Sequence, residues 1–375
     1  MLRILIAGDF VPRYRVFEDV KKKSYTCLNE VLPFTQSVDY AIVNFESPVV
    51  MRDTKPIEKT GPKLRCDEKA MECIAQAGFK CVTLANNHFR DYGQIGVEDT
   101  IDACKKYSVD YVGGGITQHE SERVLYKRIN GQMLAIINFC ENEWSIATDN
   151  RGGSAPLNLV RNYYAIKNAG KKADYVLVIV HGGVEGYQFP TPRMQETYRF
   201  FVDAGADVVV NHHQHCYSGY EVYNGKPIFY GLGNFCFDYK NTSNLLLLQG
   251  YMVMLVLNDR SITFELVPYS QCEDEAVVKP LSEGKKRKFN EKIKEINTII
   301  LDPQLLEAKY DLLVKQIKMT RLLEFEPFSN SFIRKLQKKG VIPSFISKKT
   351  RMDVFNVINC ESHRDIILRI FSDML

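Results

Sequence analysis

Hydrophobic positions along the chain fall into short apolar runs separated by stretches with helical spacing, from the first residues to about residue 240. The β-branched apolar runs predict strands at Leu2–Ala7, Tyr40–Phe45, Cys81–Ala85, Leu134–Phe139, Tyr175–Val180 and Asp207–Asn211. Apolar residues at three- and four-residue spacing predict helices at Asp67–Ala77, Gln94–Tyr107, Leu159–Lys171 and Arg193–Gly205. This alternation predicts an α/β architecture whose strands are buried on both faces.

Beyond residue 220 the pattern changes from alternating strands and helices to paired strands. Tyr220–Tyr223 and Pro227–Tyr230 flank Asn224-Gly225, a dipeptide typical of two-residue β-hairpin turns. Tyr251–Leu257 and Ile262–Val267 predict a second hairpin that turns around residues 258–260. The domain is therefore expected to end in antiparallel strands.

The C-terminal part of the chain is rich in charged residues at amphipathic helical spacing, interrupted by prolines. We therefore predict two parts, an α/β domain at 1–275 and a helical C-terminal extension at 276–375. The basic run Lys285–Lys288 could contact nucleic acid or anionic lipid. The solvated start of a helix is the simpler interpretation of that run.

Composition narrows the class of protein. Hydrophobic residues make up 45% and charged residues 25% of the chain, which is typical of globular proteins. No window approaches the roughly 18 apolar residues of a membrane span, and the N-terminal apolar stretch is too short for a signal peptide, so we expect a cytoplasmic protein.

None of the ten cysteines forms a C-x-x-C pair, which favours buried reduced thiols. The net charge of only +4 weakens the case for nucleic acid as a partner.

The residues able to bind metals or catalyse reactions lie where the predicted strands stop. These strand ends carry Asp9; Asn44 and Glu46; Asn86, Asn87, His88 and Asp91; His181 and Glu185; and His212, His213 and His215. Five of the seven histidines in the chain fall in these segments. Because ligands of open α/β sheets bind beyond the carboxyl ends of strands, we expect the five strand ends to deliver these side chains to one edge of the sheet.

The donor types at the strand ends suit a divalent cation. Imidazole, carboxylate and amide oxygen together suit Zn, Mn or Fe, and a carboxylate-rich set also suits Mg. Alternate residues of a strand point the same way, so His213 and His215 reach one site together if the backbone there is extended. Asn44 and Glu46 share the same geometry. A site of mixed nitrogen and oxygen ligands without thiolate is more typical of hydrolysis than of structural zinc.

Each segment alone also has a structural explanation. Asn86–His88 could be a polar loop, and His181 could be a hydrogen-bonded core histidine with Glu185 as its partner. The His212–His215 segment is the hardest to explain in this way. Its three imidazoles repel one another when protonated and are unfavourable to bury unpaired, so a functional site is the better interpretation.

A family resemblance rests on several of these segments taken together. They are Gly8-Asp9, Asn44-x-Glu46, Leu84–Gly93, His181-Gly182-Gly183-x-Glu185, His212-His213-x-His215 and Glu221–Phe235. Over roughly residues 2–240 the chain resembles the bacterial capsule-synthesis CapA family, named for poly-γ-glutamate capsule production. The resemblance implies a metallophosphatase-like layered α/β fold related to calcineurin-like phosphoesterases. With the patterns above, this fold is expected to end in antiparallel strands and a helical extension.

The resemblance also implies roles for individual residues. By similarity to metallophosphatases, the candidate metal ligands are Asp9, Glu46, Asn87, His181, His213 and His215. His88 is the candidate proton donor to a leaving group, and Asp91 and Glu185 join it as catalytic candidates. The candidate substrate contacts are Asn44, Asn86, His212 and Tyr187.

These roles lead to a main hypothesis and two alternatives. The main hypothesis is a metal-dependent hydrolase or transferase, using Mn, Zn, Fe or Mg, that cleaves an amide or phosphoester of a surface polymer, a small phosphoester or a peptide. The first alternative is a non-catalytic polymer-binding or assembly factor whose C-terminal helices dock a synthase complex. Val11 favours this alternative, because typical phosphoesterases have an Asp-x-His motif that would end there. The second alternative, nucleic-acid processing, rests on Lys285–Lys288 and is weakened by the low net charge.

Overall fold

The computed structural model describes residues 1–240, 242–259, 261–327 and 330–374. The chain divides into two compact units, residues 1–307 and residues 308–375.

Strands and helices alternate through most of the first unit, as the hydrophobic pattern predicts. The strands are β1 (Leu2–Val11), β2 (Tyr40–Phe45), β3 (Cys81–Thr83), β4 (Asp110–Val112), β5 (Gly114–Gly115), β6 (Leu125–Ile129), β7 (Gln132–Cys140), β8 (Gly153–Ser154), β9 (Tyr175–His181), β10 (Val208–His212), β11 (Tyr220–Tyr223), β12 (Lys226–Phe229), β13 (Asn234–Phe237), β14 (Gln249–Asn258), β15 (Ser261–Gln271) and β16 (Val278–Pro280). The α-helices are α1 (Tyr14–Lys21), α2 (Leu32–Gln36), α3 (Lys69–Gln76), α4 (Gly93–Lys106), α5 (Gln118–Ser121), α6 (Leu159–Ala169), α7 (Pro192–Asp203), α8 (Leu245–Leu248), α9 (Glu283–Leu301), α10 (Pro303–Leu323), α11 (Ser331–Lys338), α12 (Lys348–Asn359) and α13 (Glu361–Met374). Each predicted strand and helix is present, with ends that differ by at most four residues.

The first sheet is parallel at its centre and antiparallel on one side. Its strand order is β16-β15-β14-β1-β2-β3-β4, and β1 to β4 run parallel. β13 adds a parallel pairing at the carboxyl end of β1, where Asp9 lies opposite Asn234. All residues of β2 are buried, as expected for a strand that is covered on both faces. The carboxyl ends of β1, β2 and β3 therefore lie side by side.

The second sheet has the order β11-β12-β10-β9-β7-β6, and β7, β9, β10 and β12 run parallel. The pairing of β9 with β10 places His181 opposite His212. The expectation that all five polar strand ends share one edge of one sheet is therefore wrong. Their short apolar runs do not specify pairing partners, and two of the five strands, β9 and β10, belong to the second sheet.

The two sheets pack face to face between outer helices. One hydrophobic core joins residues of the first sheet, such as Ile6 and Ile42, to residues of the second, such as Ile136 and Val178. A second core lies on the outer face of the first sheet and includes residues of α1, α3 and α4. This layered arrangement confirms the predicted metallophosphatase-like α/β fold class.

Antiparallel hairpins follow the alternating part of the fold, as predicted. β11 and β12 pair around Asn224 and Gly225, whose φ angles of 49° and 77° give the left-handed turn that this dipeptide favours. β14 and β15 form the second predicted hairpin. Arg260, in the predicted turn of that hairpin, lies outside the described residues.

The C-terminal helical extension is also confirmed. α9 to α13 follow β16 along the chain. α9 belongs to the first unit, because Phe289, Ile293 and Ile296 are buried in the core that joins the two sheets. The compact units divide after Glu307. The domain boundary placed after residue 275 stays a prediction.

The cysteines agree with the interpretation as small buried hydrophobes. All ten are free thiols; nine are buried, and Cys360 is half-buried. Burial raises the pKa of Cys216 to about 12, so this thiol stays protonated at neutral pH.

Candidate metal centre

Three buried side chains converge where the carboxyl ends of the two sheets meet. Asp9 lies in β1, Glu46 directly follows β2, and His181 ends β9. One ligand atom of each residue lies within 4.8 Å of a ligand atom of the other two. All three side chains are excluded from solvent. Two carboxylates and an imidazole this close together match the donors that divalent transition metals bind.

Asp9 is positioned by a close approach between two backbone segments. A Cβ on Gly8 would lie 2.0 Å from the carbonyl oxygen of Gly233, so only glycine fits before Asp9. The Asp9 N–H donates to the same carbonyl oxygen at 3.3 Å. The Asp9 Oδ1 accepts a hydrogen bond from Asn44 Nδ2 at 2.7 Å. His212 Nδ1 lies 3.2 Å from Oδ1, but without the angle of a hydrogen bond.

Glu46 brings a second carboxylate to the cluster. Its backbone N–H donates to the carbonyl oxygen of Phe10 at 3.1 Å and holds it against β1. Its Oε2 has a long contact of 3.4 Å with Asn44 Nδ2, and its Oε1 has no hydrogen-bond partner among the described residues. Burial, and then the charge of Asp9, raise the pKa of Glu46 well above its usual value. An unpartnered buried carboxylate is unfavourable unless a cation neutralises it.

His181 presents its ring from the second sheet. Its Nδ1 lies 3.4 Å from Asn44 Nδ2, and its Nε2 lies 3.1 Å from both Asn87 Oδ1 and His213 Nδ1. Burial, and then the charge of His213, lower the pKa of His181 well below its usual value. The ring is therefore neutral at physiological pH, which is the form that binds metal ions.

The histidine-rich turn after β10 supplies two more imidazoles. β10 ends at His212, and the next histidines have positive φ angles, 89° at His213 and 57° at His215. The condition of an extended backbone at these two residues is therefore not met, because strand alternation stops at His212. Both rings nevertheless reach the cluster. His213 Nδ1 contacts His181, and His215 Nε2 lies 3.9 Å from Glu46 Oε1.

The two imidazoles of this turn carry different charges. Burial, and then the charge of His215, lower the pKa of His213 to about 4. Burial opposes the charged form of His215, but Glu46 and Asp9 outweigh it and raise the pKa of His215 to about 9. Burial likewise opposes the charge of Asp9, but the contacts with His212 and His215 outweigh it and hold the pKa of Asp9 well below its usual value. In the protein alone, His215 is thus the counter-charge of the carboxylates.

His88 and Asp91 form a hydrogen-bonded pair beside the cluster. His88 Nδ1 lies 2.7 Å from Asp91 Oδ2, which also accepts the backbone N–H of Leu64 at 2.6 Å. Lys59 forms a buried ion pair with Asp91 and lies 3.3 Å from His88 Nδ1. Burial lowers the pKa of His88. Because Nδ1 donates to Asp91, the nitrogen left to accept or deliver a proton is Nε2.

Two of the predicted substrate contacts, Asn86 and Tyr187, have well-defined surroundings. Asn86 is fully buried, and its Nδ2 donates to the carbonyl oxygen of Phe45 at 3.0 Å. Tyr187 is buried, and its ring packs edge-on against Phe189 with centroids 5.5 Å apart. Substrate contact stays a prediction for the four candidates Asn44, Asn86, His212 and Tyr187.

Glu185 lies in the turn after β9 and is exposed to solvent. The sequence suggested it as a partner of His181, whose ring nitrogens instead face Asn44, Asn87 and His213. Its negative charge still acts on the site, because it contributes to the raised pKa of Glu46. A catalytic role for Glu185 stays a prediction.

Sequence reasoning did not select three residues that contact the candidate residues. Lys59 pairs with Asp91, Glu143 Oε1 lies 3.6 Å from His213 Nε2, and Asn234 Oδ1 lies 3.0 Å from His215 Nδ1. Asn234 belongs to the last segment that carries the family resemblance, so a signal for it was present. Lys59 and Glu143 lie in irregular segments, where no periodicity indicates the direction of a side chain.

The residues of the cluster fit a divalent cation. The unpartnered Oε1 of Glu46 and the neutral ring of His181 are the types of donor that such an ion binds. Mixed carboxylate, amide and imidazole donors suit Mn, Zn or Fe, whereas Mg is typically bound by oxygen ligands alone. The six predicted ligands are Asp9, Glu46, Asn87, His181, His213 and His215.

Several curated proteins are similar to this chain. "Capsule biosynthesis protein CapA" of Bacillus anthracis is 35% identical over 246 residues, which cover 63% of this chain and 60% of that protein. "PGA biosynthesis protein CapA" of Bacillus subtilis (strain 168) is 32% identical over 242 residues, covering 64% of each chain. A "probable polyglutamine synthesis accessory protein" of Mycobacterium tuberculosis is 29% identical over 222 residues, covering 54% of this chain and 57% of its own. The chain thus spans less than two thirds of the length of these relatives.

A solved structure and a family model complete the comparison. The crystal structure of a hypothetical protein from Thermus thermophilus aligns with 72% of this chain and 99% of its own, at 13% identity and a TM-score of 0.47. The sequence model described as "Bacterial capsule synthesis protein PGA_cap" matches residues 3–239, which hold every candidate ligand. This chain therefore belongs to the bacterial capsule synthesis protein family, which is involved in the synthesis of capsules and poly-γ-glutamate.

Proposed function

We propose that this chain is a metal-dependent hydrolase or transferase that acts on an amide or phosphoester bond of a surface polymer or its precursor. The observation that carries the proposal is the buried cluster of Asp9, Glu46 and His181 beside the His88–Asp91 pair. Fold stability alone does not require two buried carboxylates this close together. Such pairs of perturbed groups are typical of functional sites.

The metal would be held by carboxylates of the first sheet and imidazoles of the second, with the Asn87 amide between them. When bound, a divalent cation supplies a water molecule whose pKa is lowered towards about 7 and a positive charge that polarises the bond to be cleaved. Asn44 orients two of the ligands, because its Nδ2 lies 2.7 Å from Asp9 Oδ1 and 3.4 Å from His181 Nδ1. Such supporting hydrogen bonds fix the direction of metal ligands.

His88 is the proposed proton donor to the leaving group. Asp91 accepts the hydrogen bond from Nδ1 and thereby selects the tautomer with Nε2 available. When the ring carries a second proton, Nε2–H can donate that proton to the leaving atom. Burial lowers the pKa of His88, which makes the release of this proton easier. The Lys59 ion pair holds Asp91 in position.

An anionic polymer or precursor is the substrate class that the surroundings favour. The ring of Phe237 packs edge-on against His215 with centroids 5.2 Å apart, and the guanidinium of Arg13 lies over Phe237 at 5.4 Å. Lys240 lies over the ring of Tyr14 at 4.8 Å. These cations suit carboxylate or phosphate groups. The names of the relatives connect those proteins with capsule and PGA synthesis, so a γ-glutamyl amide is our first choice of bond.

Metal analysis combined with an activity screen tests the proposal. Purified protein is expected to retain Mn, Zn or Fe and, with that metal, to cleave or transfer a γ-glutamyl peptide or a phosphoester. His181→Ala should lose both metal and activity. His119→Ala, which changes an exposed histidine, is the matched control and should keep both. Absence of bound metal, together with inactivity after Mn or Zn is added, would contradict the proposal.

A binding or assembly factor is the second candidate, and Val11 favours it. This residue is fully buried in β1, at the position where the Asp-x-His motif would supply an imidazole. In this case the C-terminal helices dock a synthase complex. A complex with the synthase that keeps its function in His213→Ala and His215→Ala variants would support this candidate over an enzyme. The cytoplasmic location also stays a prediction, which cell fractionation tests.

A further inference from the structure

The helices of residues 308–375 bury very little of their own apolar surface. Of the large apolar side chains that the described residues expose, sixteen of twenty-eight belong to this stretch, although it is the smaller unit. Phe332, Met352, Phe355, Ile366 and Phe371 are examples, each more than half exposed. Exposed apolar surface this extensive marks an interaction site.

The described side chains of this unit form almost no interior. Its buried residues are Leu323, Glu326 and Gln337. Glu326 fixes the fold locally, because its carboxylate accepts hydrogen bonds from Ser344 Oγ at 2.5 Å and from the Phe345 N–H at 3.0 Å. With so small a core, the hydrophobic effect favours association of the exposed helix faces with another apolar phase.

The same unit is strongly basic. Residues 308–375 contain thirteen Lys and Arg against seven Asp and Glu, a net charge of +6, whereas residues 1–307 contain thirty-six against thirty-eight, a net charge of −2. Eight of the thirteen cations are lysines. Lys348 and Lys349 begin α12, in which Phe355 is exposed. Cationic and apolar groups are therefore mixed on one short helix.

An apolar groove lies within this unit. It has a volume of about 540 Å³, and its lining includes Met319, Phe325, Ile342, Phe355 and Arg351. The exposed Phe355 and the cation of Arg351 thus belong to the same depression. A groove of this composition can take an acyl chain or an apolar side chain, with an anionic group at the arginine.

We propose that residues 308–375 bind the surface of an anionic lipid bilayer. A second copy of the chain carries the same +6 charge and would be repelled. Lysine is depleted in protein–protein interfaces, which disfavours a protein occupant. Nucleic acid offers negative charge but no apolar phase. An anionic bilayer offers both, and helices that combine Lys and Arg with Phe, Leu and Ile lie in its interface.

Such binding would be peripheral. In the part of the chain that the structure describes, no helix combines the length and the apolar content needed to cross a bilayer. The proposal does not depend on the metal centre, which lies in the other unit. It would bring a site for an anionic polymer to the surface where such a polymer is exported or assembled.

Vesicle flotation of the full chain tests the proposal. The protein is expected to float with vesicles of phosphatidylglycerol and phosphatidylcholine, to bind pure phosphatidylcholine at least about tenfold more weakly, and to be released by high salt. Lys348→Glu/Lys349→Glu should weaken binding to the anionic vesicles by more than about tenfold, because each basic residue near such a surface contributes about fivefold in affinity. Phe355→Ser should weaken binding with little change in its salt dependence.

The control is a second pair of adjacent exposed lysines. Lys171→Glu/Lys172→Glu makes the same charge change in the first unit and should leave flotation unchanged. Circular dichroism of each variant checks that helix content is kept. Equal loss in both lysine double variants would overturn the proposal, as would absence of flotation. A stable dimer, or tighter binding to an oligonucleotide or to a synthase partner than to the vesicles, would also overturn it.

Discussion

Glu46→Gln is predicted to stabilise the metal-free protein and to reduce the stability that the protein gains from metal. The substitution keeps the shape of the side chain and removes its charge. In the metal-free protein, ligand oxygens of Glu46 and Asp9 lie within 4.8 Å of each other. The repulsion between the two carboxylates then amounts to at least about 3.5 kcal/mol at an effective dielectric constant of about 20. Attraction to the His215 cation at 3.9 Å amounts to about 4 kcal/mol on the same scale. The two charge terms nearly cancel.

What remains is the cost of burying the negative charge of Glu46, whose Oε1 has no hydrogen-bond partner, and the amide of glutamine carries no charge. An unsatisfied buried polar group costs about 1–3 kcal/mol and a charged one costs more, so replacing the carboxylate with a neutral amide removes a cost of about that size. We therefore expect Glu46→Gln to raise the free energy of unfolding of the metal-free protein by about 1–3 kcal/mol at neutral pH. His215 keeps a carboxylate partner in this variant, because its Nδ1 lies 3.6 Å from Asp9 Oδ2.

With metal bound, this gain in stability is largely offset. Loss of a residue that only supports a metal ligand typically weakens metal affinity about 10–100-fold. Loss of a charged ligand itself is expected to weaken the affinity at least as much. At saturating metal this removes about 1.4–2.8 kcal/mol of the stabilisation that the wild type gains from binding. The assay is urea unfolding in EDTA and then in excess Mn²⁺ or Zn²⁺. The variant should be the more stable protein in EDTA and should gain less from the metal.

Glu221→Gln is the matched control, because Glu221 is a buried carboxylate with a full set of partners. Arg199 donates to both of its oxygens, at 3.0 and 2.7 Å, and the Tyr230 hydroxyl donates to Oε1 at 2.5 Å. Its substitution should destabilise the protein equally with and without metal. The reasoning would be refuted if Glu46→Gln destabilised the metal-free protein and left the gain from metal unchanged.

Three further predictions concern residues around the cluster. Gly8→Ala forces a Cβ to within 2.0 Å of the Gly233 carbonyl oxygen and should lower the free energy of unfolding in urea by about 1–3 kcal/mol. The control Gly284→Ala places its Cβ in open space on α9 and should change this free energy by less than about 1 kcal/mol. Lys59→Met leaves Asp91 buried without its cation and should cost about 3–5 kcal/mol in the same titration, and a change below about 1 kcal/mol would contradict a stabilising ion pair. Asp91→Asn should reduce activity about 10²–10⁴-fold with metal content unchanged, and a parallel loss of metal would contradict a role confined to the imidazole that it holds.

Much of the layered fold could be predicted from the sequence because the central strands are buried on both faces. A strand such as β2 or β9 has to be apolar along most of its length, which makes it visible as a short continuous run between helical patterns. The polar residue that ends such a run is conspicuous for the same reason. Asp9, Glu46 and His181 could thus be selected from the sequence alone.

The pairing of strands and the geometry of turns were not predictable in the same way. An apolar run does not specify its neighbour, so the division of the strand ends between two sheets was missed. The positive φ angles of His213 and His215 depend on contacts with distant residues and not on local propensity. Lys59 lies in the loop that precedes α3 and is buried because it pairs with Asp91. This is a tertiary contact without a local signal.

Because the cluster joins two sheets, its geometry depends on the core between them, and β1 offers a direct test. Ile6 belongs to the core between the sheets, whereas Leu5 belongs to the core on the outer face, and both are fully buried. Ile6→Ala and Leu5→Ala should each cost about 2–5 kcal/mol of stability. Only Ile6→Ala is expected to weaken metal binding in calorimetry as well, because the cavity it leaves lets Asp9 shift relative to His181. Equal metal affinity in the two variants would mean that each sheet positions its own ligands, independently of how the sheets pack.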